Sequence, residues 1–156
     1  MIVENNEFSL NYPVKFGIPK SKTNLELINF SSSAQAFAYL KAVYFEKDIL
    51  DDILNFNDFE NINRVLKSCQ SKDWEKSKFK IMVIANFYKF SQTDLKKNIL
   101  GLNDEKLVYI GKSNYWDAVS DKSLANLPFT GENKMNDVIK SIQKMLIPKD
   151  HLNHVY

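Results

Sequence analysis

Apolar residues recur at helical spacing over most of the second two-thirds of the chain. From Ser33 onward, Ala36, Phe37, Leu40, Val43 and Tyr44 fall at i, i+3/i+4, i+7 and i+8, which predicts an amphipathic helix. Ser31, Ser32 and Ser33 supply hydroxyls for its N-cap. A short helix is expected from Asp48 to about Leu54. Asp58 is placed to cap another, with Ile62, Val65, Leu66 and Cys69 on one face. Asp73 precedes a longer helix carrying Trp74, Met82, Ala85, Asn86, Lys89 and Phe90 near one face. Ser91 and Asp94 form an S-x-x-D capping signal before Leu95–Leu100, and Gly101 sits where a C-terminal cap is expected. A final helix from about Asn133 to Leu146 would bury Met135, Val138, Ile139, Ile142 and Met145, with Pro148 as its stop.

Other segments lack this period. The first thirty residues set Pro13, Gly17 and Pro19 around short apolar runs, Val14–Phe16 and Leu25–Ile28, which predicts a small hairpin or β-rich cap. Leu107–Ile110 reads as a short strand closed by Gly111. Residues 112–130 read as a long loop of the kind that is functional or mobile. The tail from His151 to Tyr156 is expected to be loosely held. The sum is one α+β domain over residues 1–156, predominantly α.

Composition narrows the function classes. With 156 residues, 44% hydrophobic and 26% charged, the chain has the make-up of a single globular domain. A net charge of +2 does not argue for nucleic acid by itself, although surface lysines can assist the approach of a phosphate-bearing ligand. The single cysteine, Cys69, rules out an intrachain disulfide and suits a reducing compartment. No apolar run nears the roughly 18 residues of a membrane span, and the polar, acidic start Met1–Glu7 is not a signal peptide. A cytoplasmic protein is expected. There is no Walker A loop, G-x-G-x-x-G or G-x-S-x-G motif. His151 and His154 alone make a poor metal site.

Several polar positions go beyond what packing requires. Asn11-Tyr12-Pro13 with Phe16 is similar to an S-N-F-x-P-x-x-F pattern. The helix beginning at Ser33, with Lys41-Ala42 on the closing K-A, corresponds to S-x-E-H-x-Y-Q-x-x-K-A, and Asp73-Trp74 followed by Ile81-Met82 looks like D-W-x-x-x-K-x-x-x-M. Lys89-Phe90-x-Gln92, Leu107-Val108, Trp116 and Gly131-x-Asn133-x-Met135 follow in order. Together they resemble the NADAR family, also called YbiA-like, whose members cleave N-glycosidic bonds between ribose and a base-like amine. The resemblance spans roughly residues 8–146. The departures fall where chemistry is expected. The family's Glu-His pair lands on Ala34-Gln35, the Gly after its Trp on Asp117, and a Gly of its last motif on Asn136.

The resemblance implies an N-glycosidase acting on ADP-ribosylated guanine in nucleic acid, or on a phosphoribosylamino-pyrimidine, with no metal or organic cofactor. It makes Lys41 the catalytic amine, working at the anomeric carbon when unprotonated; a solvated helix lysine is the plainer reading. Trp116 would stack on the base, or simply plug the core. Lys89 would support the pocket, or neutralise a helix C-terminus. Asn133 and Ser33, at helix starts, would hold phosphate or ribose hydroxyls, or serve as caps. Gln35 can hydrogen-bond a sugar but cannot pass a proton at neutral pH. Asp117, beside Trp116, is one acid candidate; Glu46, Asp121 and Glu132 are others, and surface charge is the plainer reading of each. The alternative function is a catalytically impaired binder of ADP-ribose-like or nucleotide ligands, acting as sensor, sponge or inhibitor. A third is an interaction protein that keeps only the fold.

Overall fold

The computed structural model describes residues 1–148. The tail from His151, with its two histidines, lies outside the described residues. The chain divides into two compact units, one of Met1–Ser9 with Phe90 onward and one of Leu10–Lys89.

The second unit opens with the expected hairpin. Strand β2 (Phe16–Pro19) pairs antiparallel with β3 (Leu27–Phe30), in register Phe16 to Phe30 and Ile18 to Ile28. Phe16, Ile18 and Phe30 turn inward against Ala36 of helix α1 (Ser33–Tyr44) and Ala85 of helix α4 (Lys72–Phe90). Helices α2 (Leu50–Asn55) and α3 (Phe59–Ser68) follow α1, and Ala42, Ile49, Ile53 and Ile62 form a second buried cluster. The Asp58 carboxylate accepts the Asn61 N–H, the cap expected for α3. The cap of α4 is instead the Ser71 hydroxyl, which accepts the Trp74 N–H, so Asp73 lies inside the first turn. The stripe expected on α1 is displaced at its end. Val43 is 48% exposed and Tyr44 is also exposed, while Ser33 and Gln35 are buried.

In the first unit, β1 (Ile2–Val3) and β4 (Val108–Tyr109) run parallel, Ile2 opposite Val108. Helix α5 (Thr93–Gly101) starts after Gln92 rather than at Ser91. The left-handed residue after α5 is Asn103, φ 51°, and not Gly101, which is still helical. The loop 112–130 contains a 3-10 turn at Lys122–Leu124 and a bridge between Ile110 and Val119. Helix α6 (Lys134–Leu146) buries Met135, Val138, Ile139, Ile142 and Leu146. Met145, expected in that stripe, is 60% exposed. No described helix is long and apolar enough to cross a membrane.

Candidate functional site

Helix α1 organises the chemistry of the second unit. Its start is an S-x-x-Q capping arrangement that the serine run only half revealed. The Ser32 hydroxyl accepts the Gln35 N–H at 3.1 Å, while the Gln35 Oε1 accepts the Ser31 N–H at 2.7 Å. The other end of that amide donates to the carbonyls of Ile53 at 3.0 Å and Leu54 at 3.4 Å. Gln35 therefore fastens α1 to the end of α2, and its amide is spent on backbone. Ser33 is wholly buried, and its hydroxyl has no hydrogen-bond partner among the described residues.

Seven residues on from Ala34, and so nearly in line with it along α1, stands Lys41. Its side chain is partly buried, with the ammonium nitrogen 5.3 Å from the centre of the Trp74 indole. Phe37, Tyr44 and Phe45 pack their rings against the same indole at 5.2–5.8 Å. Burial lowers the Lys41 pKa below the usual 10.5; the Cys69 thiol and Glu75 carboxylate oppose that shift, and Lys78 adds to it. Lys78 is itself paired with Glu75 at 2.5 Å. Burial among aromatic rings and a second ammonium nearby both favour the free amine, the form in which a lysine is nucleophilic.

A cleft of about 310 Å³ opens along the same face of α1. Ala34, Gln35 and Ala38 form one wall, Ile62, Asn63 and Leu66 of α3 another, and Phe56 and Phe59 stand at the α2–α3 connection. No carboxylate lines it. The position that the resemblance assigns to a catalytic glutamate carries only the methyl of Ala34. Lys41 stands one turn beyond Ala38 on α1 and does not itself line the cleft.

Lys89 belongs to the same unit. It is buried in the last turn of α4, with its ammonium nitrogen 5.6 Å from the Tyr12 ring centre.

Trp116, Asp117 and Asn133 belong to the first unit, where they build one tight loop. Asp117 Oδ2 accepts the Ser113 N–H at 3.0 Å, and the Ser113 hydroxyl accepts the Trp116 N–H at 3.1 Å. Burial raises the Asp117 pKa above 3.8, and the Ser113 N–H partly offsets the rise. Carbonyls of this loop meet the start of α6. Glu132, Asn133, Lys134 and Met135 donate their N–H groups to Asn114, Asp117, Tyr115 and Trp116 respectively, at 2.7–3.1 Å. The helix start expected to hold phosphate thus has these four donors already engaged. Asn133, at φ 54°, makes no cap hydrogen bond with its side chain. Its Oδ1 accepts the Tyr109 N–H at 3.1 Å and its Nδ2 donates to the Leu107 carbonyl at 2.8 Å. It acts as a surrogate strand partner for β4. Trp116 is half-buried and meets Tyr115 edge to face at 4.5 Å.

The structure therefore gathers Lys41 and Gln35 on one helix, and Trp116, Asp117 and Asn133 in one loop. The indole beside Lys41 is Trp74, and the charged neighbours are Glu75 and Lys78. Sequence reasoning placed Trp74 on a helix face and in the D-W motif but gave it no part in the site, and did not single out the other two. The D-W-x-x-x-K-x-x-x-M spacing held the signal, because Trp74, Lys78 and Met82 are i, i+4 and i+8 on one face of α4. Among the described residues no group of three or more His, Cys, Asp or Glu is arranged to hold a metal.

Comparison with known proteins fits this scaffold. The NMR structure of the E. coli protein YbiA superposes with a TM-score of 0.69 at 17% identity, covering 94% of this chain and 83% of that one. No curated protein matches. The family model of the NADAR domain matches residues 3–147, nearly the whole chain, and the chain belongs to the NADAR family.

Proposed function

We propose that the protein is an N-glycosidase-type hydrolase that cleaves the C–N bond between a ribose and a base-like amine. ADP-ribosylated guanine and phosphoribosylamino-pyrimidines are the substrate classes. The observation that carries this reading is the Lys41 amine, held over the Trp74 indole with its pKa lowered by burial. In this scheme the unprotonated amine attacks the anomeric carbon. The base leaves as its free amine, taking up a proton, and the opened sugar stays on Lys41 as an imine. Water then adds to the imine carbon, releasing the sugar aldehyde and restoring the lysine. No metal or organic cofactor enters. Trp74, buried among three rings, holds the amine in this reading and does not stack on the base. Asn133 and Asp117 spend their side chains on backbone groups of their own unit.

The test is incubation with ADP-ribosylated guanine DNA and measurement of released guanine-bearing DNA, with borohydride added to trap the imine. A stable sugar adduct on the peptide containing Lys41 is expected, and Lys41→Ala should abolish both adduct and turnover. Full hydrolysis by Lys41→Ala would sink the amine role. One observation favours a second reading, a binder without turnover: the cleft wall carries Ala34 and no carboxylate, so nothing there stabilises the positive charge of the transition state. In that case ADP-ribose would raise the melting temperature while no base is released.

A further inference from the structure

The α1–α3 cleft has features that the Lys41 chemistry does not use. Phe56 and Phe59 are large apolar side chains left 48% and 58% exposed, with ring centres 6.2 Å apart. Their connection is conformationally costly. Phe56 closes α2 in the left-handed region at φ 56°, and Asp58 follows at φ 50°. Glycine or asparagine is the usual residue in such a helix-closing position, and a bulky side chain there is an outlier of the sort that clusters at ligand sites. The strain holds two phenyl rings at a cleft mouth where they gain little burial. Asn63 and Asn11, with Gln35 and Ser32, add polar groups to a lining that is otherwise apolar and carries no charge. No charged residue lines the cleft, so it offers no cation to a phosphate. A volume of about 310 Å³ sits at the low end of small-molecule sites, enough for a nucleoside and too little for a dinucleotide.

Resting on the N-glycosidase reading, we propose that this cleft is the base subsite. It takes a neutral, planar, nitrogen-rich ring, stacked on Phe56 and Phe59 and met at its edge by asparagine amides, and it rejects phosphate. A base bound there presents its sugar toward the Lys41 end of the cleft, with any phosphate outside.

Binding of 2-aminopurine riboside, followed by quenching of its fluorescence on stacking, tests this. Ribose 5-phosphate serves as the sugar-phosphate control. The riboside is expected to bind, and ribose 5-phosphate to bind at least tenfold more weakly. Phe59→Ala should weaken riboside binding by about 5- to 150-fold, the range of one base–aromatic stack. Phe56→Gly should weaken it similarly while keeping or raising the melting temperature, because glycine relieves the left-handed backbone. Equal affinity for ribose 5-phosphate, or unchanged riboside binding in both phenylalanine variants, overturns the proposal. So does a melting temperature that falls in step with affinity in both. Retained riboside binding without any imine at Lys41 would sink the chemistry and leave the base subsite standing.

Discussion

The proton on Lys41 is contested by its neighbours, and the contest is measurable. Burial and Lys78 push the proton off, while Cys69 and Glu75 hold it on. The nucleophilic form is the free amine, so the rate should rise with pH along an acid limb set by this group. Lys78→Met removes a repelling charge and is expected to move that limb to higher pH. Glu75→Gln removes an attracting one and should move it to lower pH. Shifts of the same sign in pH–rate profiles of the two variants would refute this arrangement. Stability carries the same signature. Because the folded pKa lies below 10.5, the unfolded chain binds more protons between the two values, and stability rises with pH through that window. Lys41→Met should flatten that rise, as read by urea unfolding at stepped pH. Lys41 was legible in the sequence because the alignment with a helix motif isolates it. The pairing of Trp74 and Lys78 with Lys41 was not, because their i, i+4 spacing looks like packing until α1 is laid beside α4.

At the level of elements, the start of α6 shows why a cap motif can conceal a tertiary joint. An Asn ahead of an apolar helix reads as an N-cap, yet Asn133 turns its amide onto the backbone of Leu107 and Tyr109, 26 and 24 residues earlier. Asn133→Ala would leave two buried strand groups without partners at a left-handed position. A loss of at least about 2 kcal/mol is expected in denaturant unfolding. Gly131 makes the same joint possible through size alone. A Cβ there would fall 2.2 Å from the Asp117 carbonyl oxygen, a backbone atom that cannot swing away. Gly131→Ala should therefore cost about 1–3 kcal/mol, whereas Gly101→Ala, with open space around it, should cost nothing and gain helix propensity. The helices themselves were legible wherever local periodicity and a cap agreed, as at Asp58 for α3 and along the buried residues of α6. They were misplaced where a neighbour decides the face, as at Val43, Tyr44 and Met145.

Over the whole molecule, the α+β class follows from local patterns, but the β1–β4 pair does not. Its two strands are two residues each and about a hundred positions apart, so neither carries a period to be read. The division into units was equally hidden, since the composition does not change at Leu10 or Phe90. That division gives the base-subsite proposal a readout across the chain. A ligand in the α1–α3 cleft slows hydrogen exchange only for amides whose local opening breaks that cleft. With 2-aminopurine riboside bound, amides of α1, α2 and α3 that exchange by local opening are expected to slow. Those of the Ser113–Asp117 loop and the α6 start, whose hydrogen bonds are made within their own unit, should exchange as before. Slowing centred on 113–117 instead would return the base to Trp116 and remove it from Phe56 and Phe59.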